Sequence, residues 1–158
     1  MGGVSGAEEM MRRDAASAML GMMVERSAPG DAVVSMSVRP DMLNGHAITH
    51  GGIVFALADT AFAIACNEDE RVTVAGGADI TFLHPTTVGQ TLTAHAVRRA
   101  RTGRTGLYDV RVVDETGTTV AEMRGRSVTT RRHPAGDPAA GDPADGGDLD
   151  LLNDRSVK

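Results

Sequence analysis

The segment HGGIVFALADTAFAIACN, His50 to Asn67, decides how the rest of the chain is read. It opens on two glycines and then runs apolar for about four turns at helical geometry. A helix that is apolar on every side belongs in the middle of a domain. Between Gly51 and Cys66 its single carboxylate is Asp59. Burying even a neutral polar group without partners costs roughly 2–7 kcal/mol. A carboxylate in such a place is held by structural partners, such as backbone amides at a neighbouring helix end, or is retained for its chemistry.

The glycine pair bears on that choice. Amides in the first turn of a helix have no intrahelical acceptor and lie at the positive end of its dipole. Without side chains at Gly51 and Gly52, a carbonyl oxygen can approach closely, which is what an oxyanion site requires. The same glycines also permit a tight turn from loop into helix. Asp59 stands eight residues beyond Gly51, about 12 Å of helix rise. One chain's Asp59 therefore falls short of its own Gly51. A two-fold dimer with antiparallel helices would bring each carboxylate to the other helix start, so a shared site is expected.

Outward from this helix the chain alternates between sheet and turn patterns. Residues 7–25 place Met11, Ala15, Met19 and Met22 at helical spacing, which predicts an N-terminal helix. Pro29-Gly30-Asp31 breaks it. Val34, Met36 and Val38 alternate with Ser35, Ser37 and Arg39 as a first strand, and Asn44-Gly45 marks a turn. Four more strands are expected over 72–84, 88–99, 107–113 and 118–130, separated by Thr102-Gly103 and Glu115-Thr116-Gly117. The order predicts an α+β domain, one antiparallel sheet wrapped around one central helix.

Composition narrows the function classes. The chain has 158 residues, enough for one core. Three segments are expected: a loose start over 1–6, the domain over 7–132, and a disordered Pro/Gly/Asp-rich tail over 133–158. That tail holds six Asp against Arg155 and Lys158, so it carries most of the formal net charge of −5. The nearly neutral body argues against a nucleic-acid partner. Cys66 is the only cysteine, which rules out an intrachain disulfide framework. No secretory signal and no membrane-spanning stretch is legible, so a cytoplasmic location is expected.

Other chemistries find less support. His46 and His50 are four apart in a loop, without further clustered ligands, so no metal is expected. His50 reads as a hinge whose imidazole bonds backbone or substrate. Cys66 reads as a small buried hydrophobe. Ser35, Ser37 and Ser127 lie on strands, outside any nucleophile elbow. Arg98, Arg99, Arg101 and Arg104 form a basic cluster that reads as edge protection or as a phosphate site.

The string N-G-H-x-x-x-H-G-G-x-x-F-x-L-A-D, Asn44 to Asp59, resembles the hotdog thioesterases of the phenylacetic-acid-degradation (PaaI) type. So do ITFLHPTTVGQTLTAHA from Ile80 and RTGRTGLYDVRVVDETGTTVAEMRGRS from Arg101. The resemblance spans roughly residues 8–131. It implies a hotdog fold and hydrolysis of an acyl-CoA thioester, with phenylacetyl-CoA or a ring-hydroxylated relative as substrate and no separate cofactor. It implies catalytic roles for Asp59 as nucleophile or general base, Gly51 as carbonyl-polarising amide, Asn44 as water-orienting amide and His50 as support for the carbonyl. Gly52, Arg101, Arg104 and Thr105 are the candidate substrate-binding residues. The implied assembly is a homodimer that forms the active site, arranged as a dimer of dimers. Ala75-Gly76-Gly77 holds no serine where some relatives place one. Medium-chain acyl-CoA hydrolysis, a non-catalytic acyl-CoA sensor and a hotdog hydratase are the competing expectations.

Overall fold

The computed structural model describes residues 6–67 and 71–130. Helix α1 runs Gly6–Arg13 and α2 runs Ala15–Met19; strands β1 (Met23–Ala28) and β2 (Asp31–Ser37) follow. The central helix α3 spans Gly51–Cys66. Strands β3 (Thr73–Phe82), β4 (Thr91–Thr102), β5 (Thr105–Val113) and β6 (Thr119–Thr129) complete the domain. All pairings are antiparallel, in the order β1-β2-β4-β5-β6-β3. This is the expected α+β hotdog arrangement of a sheet around one helix.

The N-terminal region departs from the expected continuous helix over 7–25. Asp14 interrupts it, because its side chain caps α2 by accepting from the Ser17 N–H. Gly21 then takes a positive φ of 69°, a conformation that suits glycine and ends the helix. Met23–Ala28 becomes an edge strand paired to β2. The methionine spacing masks this strand, because an edge strand exposed on both sides shows no alternation. The expected tail over 133–158 lies outside the described residues.

The core forms where α3 meets the inner sheet face. Leu57, Ala58, Ala61, Phe62 and Ala65 are fully buried against Val34, Leu92, Ala94, Val110 and Val112. Small alanines let the helix lie close to the sheet. Full burial of a side chain such as Leu57 or Phe62 stabilises by about 1.5–3 kcal/mol. Phe62 packs edge-on to Tyr108, with ring centroids 5.3 Å apart. It also lies over Gly125, where an added Cβ would come within 3.0 Å of the ring. Two of the chain's four aromatics thus meet at one helix–sheet contact.

The helix ends are fixed by side chains. Asn67 Nδ2 donates to Ala63 O at 2.8 Å and to Thr73 O at 2.9 Å, and its Oδ1 accepts from the Thr73 N–H at 2.9 Å. These bonds tie the C-terminus of α3 to the start of β3. The N-terminus therefore points to the opposite end of the sheet, near Phe82 and Val120.

Candidate active site

The loop before α3 is built to present the helix start. Asn44 Oδ1 accepts from the His46 N–H at 2.8 Å and the Ile48 N–H at 3.4 Å, and the Asn44 N–H donates to Ile48 O at 2.8 Å. These bonds close a tight loop in which Ala47 adopts φ 59°. Asn44 thereby spends its carbonyl oxygen on the loop and leaves its Nδ2 donor available. The His50 N–H donates to Met42 O at 2.9 Å, and Thr49 shares a buried 2.8 Å hydrogen bond with Thr86.

His50 is the N-cap of α3, and its Nδ1 accepts from the Gly52 N–H at 2.9 Å. Of the two partners expected for this imidazole, the backbone bond is made through Nδ1. It also occupies the Gly52 amide. Among the described residues the Gly51 N–H has no acceptor. The free dipole-end donor is thus Gly51.

Gly51 opens into a cleft of about 470 Å³, lined in part by Asn44, Thr49, Phe82, His84 and Thr86. A Cβ on Gly51 would lie 3.1 Å from Phe82 Cζ, so only glycine leaves this space open. Phe82 and Thr86 belong to the site although sequence reasoning passed over them. Their signal was the FLHPTT stretch at the end of a strand, where Pro85 halts pairing.

Asp59 does not line this cleft. It lies on a stripe of α3 (Gly52, Phe55, Ala56, Asp59 and Ala63) that the sheet leaves partly or wholly exposed. The expectation of a helix covered all round is corrected here: one face is open within the single chain. Asp59 makes no hydrogen bond among the described residues, so backbone amides at a helix end do not hold it. Burial, reinforced by the negative charge of Asp14, pushes its carboxyl above the usual range.

The candidate substrate-binding arginines sit elsewhere. Arg101 ends β4, Gly103 turns at φ 57°, and Arg104 and Thr105 lead into β5. This hairpin tip pairs near Val128 and the start of β3, at the α3 C-terminal end. Val120, on the cleft, is eight residues back along β6, about 26 Å. One protomer therefore brings together Asn44, His50, Gly51 and Gly52, and sets Asp59, Arg101, Arg104 and Thr105 apart from them. Arg99 of the basic cluster, with Arg124 and Arg126 on β6, is committed to ion pairs. Arg99 and Arg124 both pair with Asp109, and Arg126 pairs with Asp79.

Cys66 is buried, as expected. No group of three or more potential metal ligands occurs among the described residues. No described helix is long and apolar enough to cross a membrane.

An unoccupied amide at a helix start, a lone half-buried carboxylate and a cleft suited to a carbonyl are the parts needed to hydrolyse an activated acyl group. A model of the thioesterase superfamily matches residues 46–121, and the chain belongs to that superfamily of thioester hydrolases. Within it the chain is of the PaaI type. It is 46% identical to acyl-coenzyme A thioesterase PaaI of Escherichia coli (strain K12) over 121 residues, 77% of this chain and 86% of that protein. The solved structure of E. coli PaaI superposes with a TM-score of 0.77 at 44% identity, covering 78% of this chain and 90% of that one. PaaI of Thermus thermophilus gives 0.71 at 38% identity, over 74% of this chain and 100% of that one.

Proposed function

We propose that the protein hydrolyses an acyl-CoA thioester, with phenylacetyl-CoA or a hydroxylated relative as its substrate, in the cytoplasm and in aromatic-acid catabolism. The carrying observation is the Gly51 amide, without an acceptor among the described residues, on a cleft that Asn44 also lines. The thioester carbonyl oxygen accepts from the Gly51 N–H, and Asn44 Nδ2 steadies the attacking water. Asp59 takes the water's proton as its oxygen bonds to the acyl carbon. The C–S bond breaks, and the departing thiolate takes the proton, giving free acid and CoA. CoA is part of the substrate, and these steps call on no other cofactor.

The distance along α3 supports a reading in which Asp59 and Gly51 act from opposite subunits. Among the described residues the outer edge of β3 is unpaired, and long free edges invite pairing. Two β3 edges joined about a two-fold axis would run the two α3 helices antiparallel. Residue 55 is midway between Gly51 and Asp59. An axis passing near Phe55 and Ala56 sets each Asp59 opposite the other Gly51, and these two residues are left half-exposed by the sheet. The same operation carries the Arg101–Thr105 hairpin to the end of the sheet that holds the partner's cleft. From there its guanidinium groups would meet CoA phosphates. Two such dimers make the tetramer.

The test is release of free thiol from phenylacetyl-, hydroxyphenylacetyl-, benzoyl-, hexanoyl- and crotonyl-CoA, with Asp59→Asn alongside wild type. Release from the aryl esters, abolished in a folded Asp59→Asn, supports the reading. Faster hexanoyl release would shift the substrate to medium chains. Binding without release of any thiol would leave a sensor.

A further inference from the structure

The N-terminal elements reach the site through a chain of three side chains. Asp14 Oδ1 accepts from the Ser17 N–H at 2.9 Å, and Asp14 Oδ2 accepts from the Ser17 hydroxyl at 2.6 Å. Ser17 Oγ also lies 2.9 Å from Thr60 Oγ1. Ser17 and Thr60 are both buried, at 2% and 8% exposure. The direction of the chain follows from proton counting. An ionised carboxylate only accepts, so Ser17 gives its single proton to Asp14 and Thr60 gives its proton to Ser17. A threonine inside a helix otherwise bonds back to a carbonyl of its own preceding turn. Here its hydroxyl is drawn out of α3 toward α2, at the residue adjoining Asp59.

The arrangement also sets the field at Asp59. Strands β1 to β6 and α2 all touch α3. Burial raises the Asp59 carboxyl first, and the negative charge of Asp14 at the head of α2 adds to it. Between Gly51 and Cys66, α3 carries no other ionisable acid or base apart from the buried thiol of Cys66.

We propose that Asp14 is a positioning residue for thioester hydrolysis: through Ser17 and Thr60 it locks α2 onto α3 and holds a second carboxylate two hydrogen bonds from Thr60, the residue adjoining Asp59. This rests on Asp59 being the base or nucleophile. A neighbouring negative charge makes Asp59 bind a proton more firmly. The carboxylate is then a stronger base toward water and needs a higher pH to be ionised. In this role Asp14 acts through Asp59 and not on the substrate.

Thiol release measured as kcat/KM against pH tests this in the full-length protein. Asp14→Asn keeps the cap, since Asn and Asp cap about equally well, and removes the charge. Its acidic limb is expected to move to lower pH, with a several-fold gain in rate on the acid side of the wild-type limb. Asp14→Ser, a second uncharged capping residue, moves the limb the same way. Asp31→Asn, which removes a charge from the β1–β2 turn, leaves it in place. Ser17→Ala breaks the chain and lowers kcat more than it alters KM. Limbs of Asp14→Asn and Asp14→Ser that superpose on wild type overturn the proposal. Asp59→Asn separates the two readings. If it stays active, the role of Asp59 fails. If it is dead while the Asp14 limbs do not move, only the role of Asp14 fails.

Discussion

Replacing Gly51 by proline removes the hydrogen-bond donor at the centre of the proposed chemistry and leaves the helix start otherwise suited to the change. Gly51 is the first residue of α3, a position at which proline is favoured because the missing N–H has no intrahelical acceptor. His50 before it has φ −60° and ψ 131°, the extended conformation that a residue preceding proline prefers. The fold therefore loses no hydrogen bond. The reaction loses its oxyanion donor, which lowers kcat about 10²–10³-fold, or ~2.7–4 kcal/mol in the transition state. A steric contribution has to be subtracted, because any Cβ here falls 3.1 Å from Phe82 Cζ. Gly51→Ala carries the same Cβ and keeps the N–H. Phe82 is 53% exposed, so its ring can swing aside, and the alanine variant is expected to lose activity mainly through KM. Initial rates of thiol release for the pair compare replacement of the N–H by the proline Cδ with addition of the Cβ alone, with thermal melts as the check on folding. Equal kcat values for folded Gly51→Pro and Gly51→Ala would refute the role of this amide.

Three further outcomes concern stability. The Asp59 carboxyl is held above its ordinary range in the folded protein, by burial first and by Asp14 second; its favourable contribution is therefore full below the unfolded value and lost as pH rises through the folded one. Asp59→Asn should accordingly melt at a higher temperature than wild type at pH 7, and the gap should close below about pH 4; a wild type that is the more stable at pH 7 would contradict this. Asn67→Ala removes three hydrogen bonds and strands the Thr73 amide, at an expected cost of about 2–3 kcal/mol in urea denaturation. Gly125→Ala would press a methyl against the Phe62 ring, which Tyr108 backs, and should cost about 1–3 kcal/mol, whereas Gly117, with open space around it, calls for no such packing penalty.

Most of the secondary structure was legible because its causes are local. The apolar run after Gly51-Gly52 and the alternation in Leu107–Val113 depend on side chains a few residues apart. Asp114 shows the same for turns: its Oδ1 accepts from Thr116 N at 2.9 Å and Thr118 N at 3.0 Å, within one short stretch of sequence. The site was legible in the same degree. The Gly51 amide follows from its place at a helix start, and the failure of Asp59 to reach it follows from helix rise.

What the chain alone left hidden depends on segments distant in sequence. Met23–Ala28 is a strand only because β2 lies beside it. Phe82 covers Gly51 only because β3 runs back past the start of α3. Asp14 is tied to α3 only because Ser17 meets Thr60, 43 residues away. The placement of Arg101 and Arg104 away from the cleft depends on the order of the strands. Hydrophobic period and turn chemistry determine which elements form, and with them the class of fold and the place of Asp59 on α3. Burial of those elements against one another determines which face of α3 stays open and which charges become neighbours, since contacts between remote segments form only once the core brings them together.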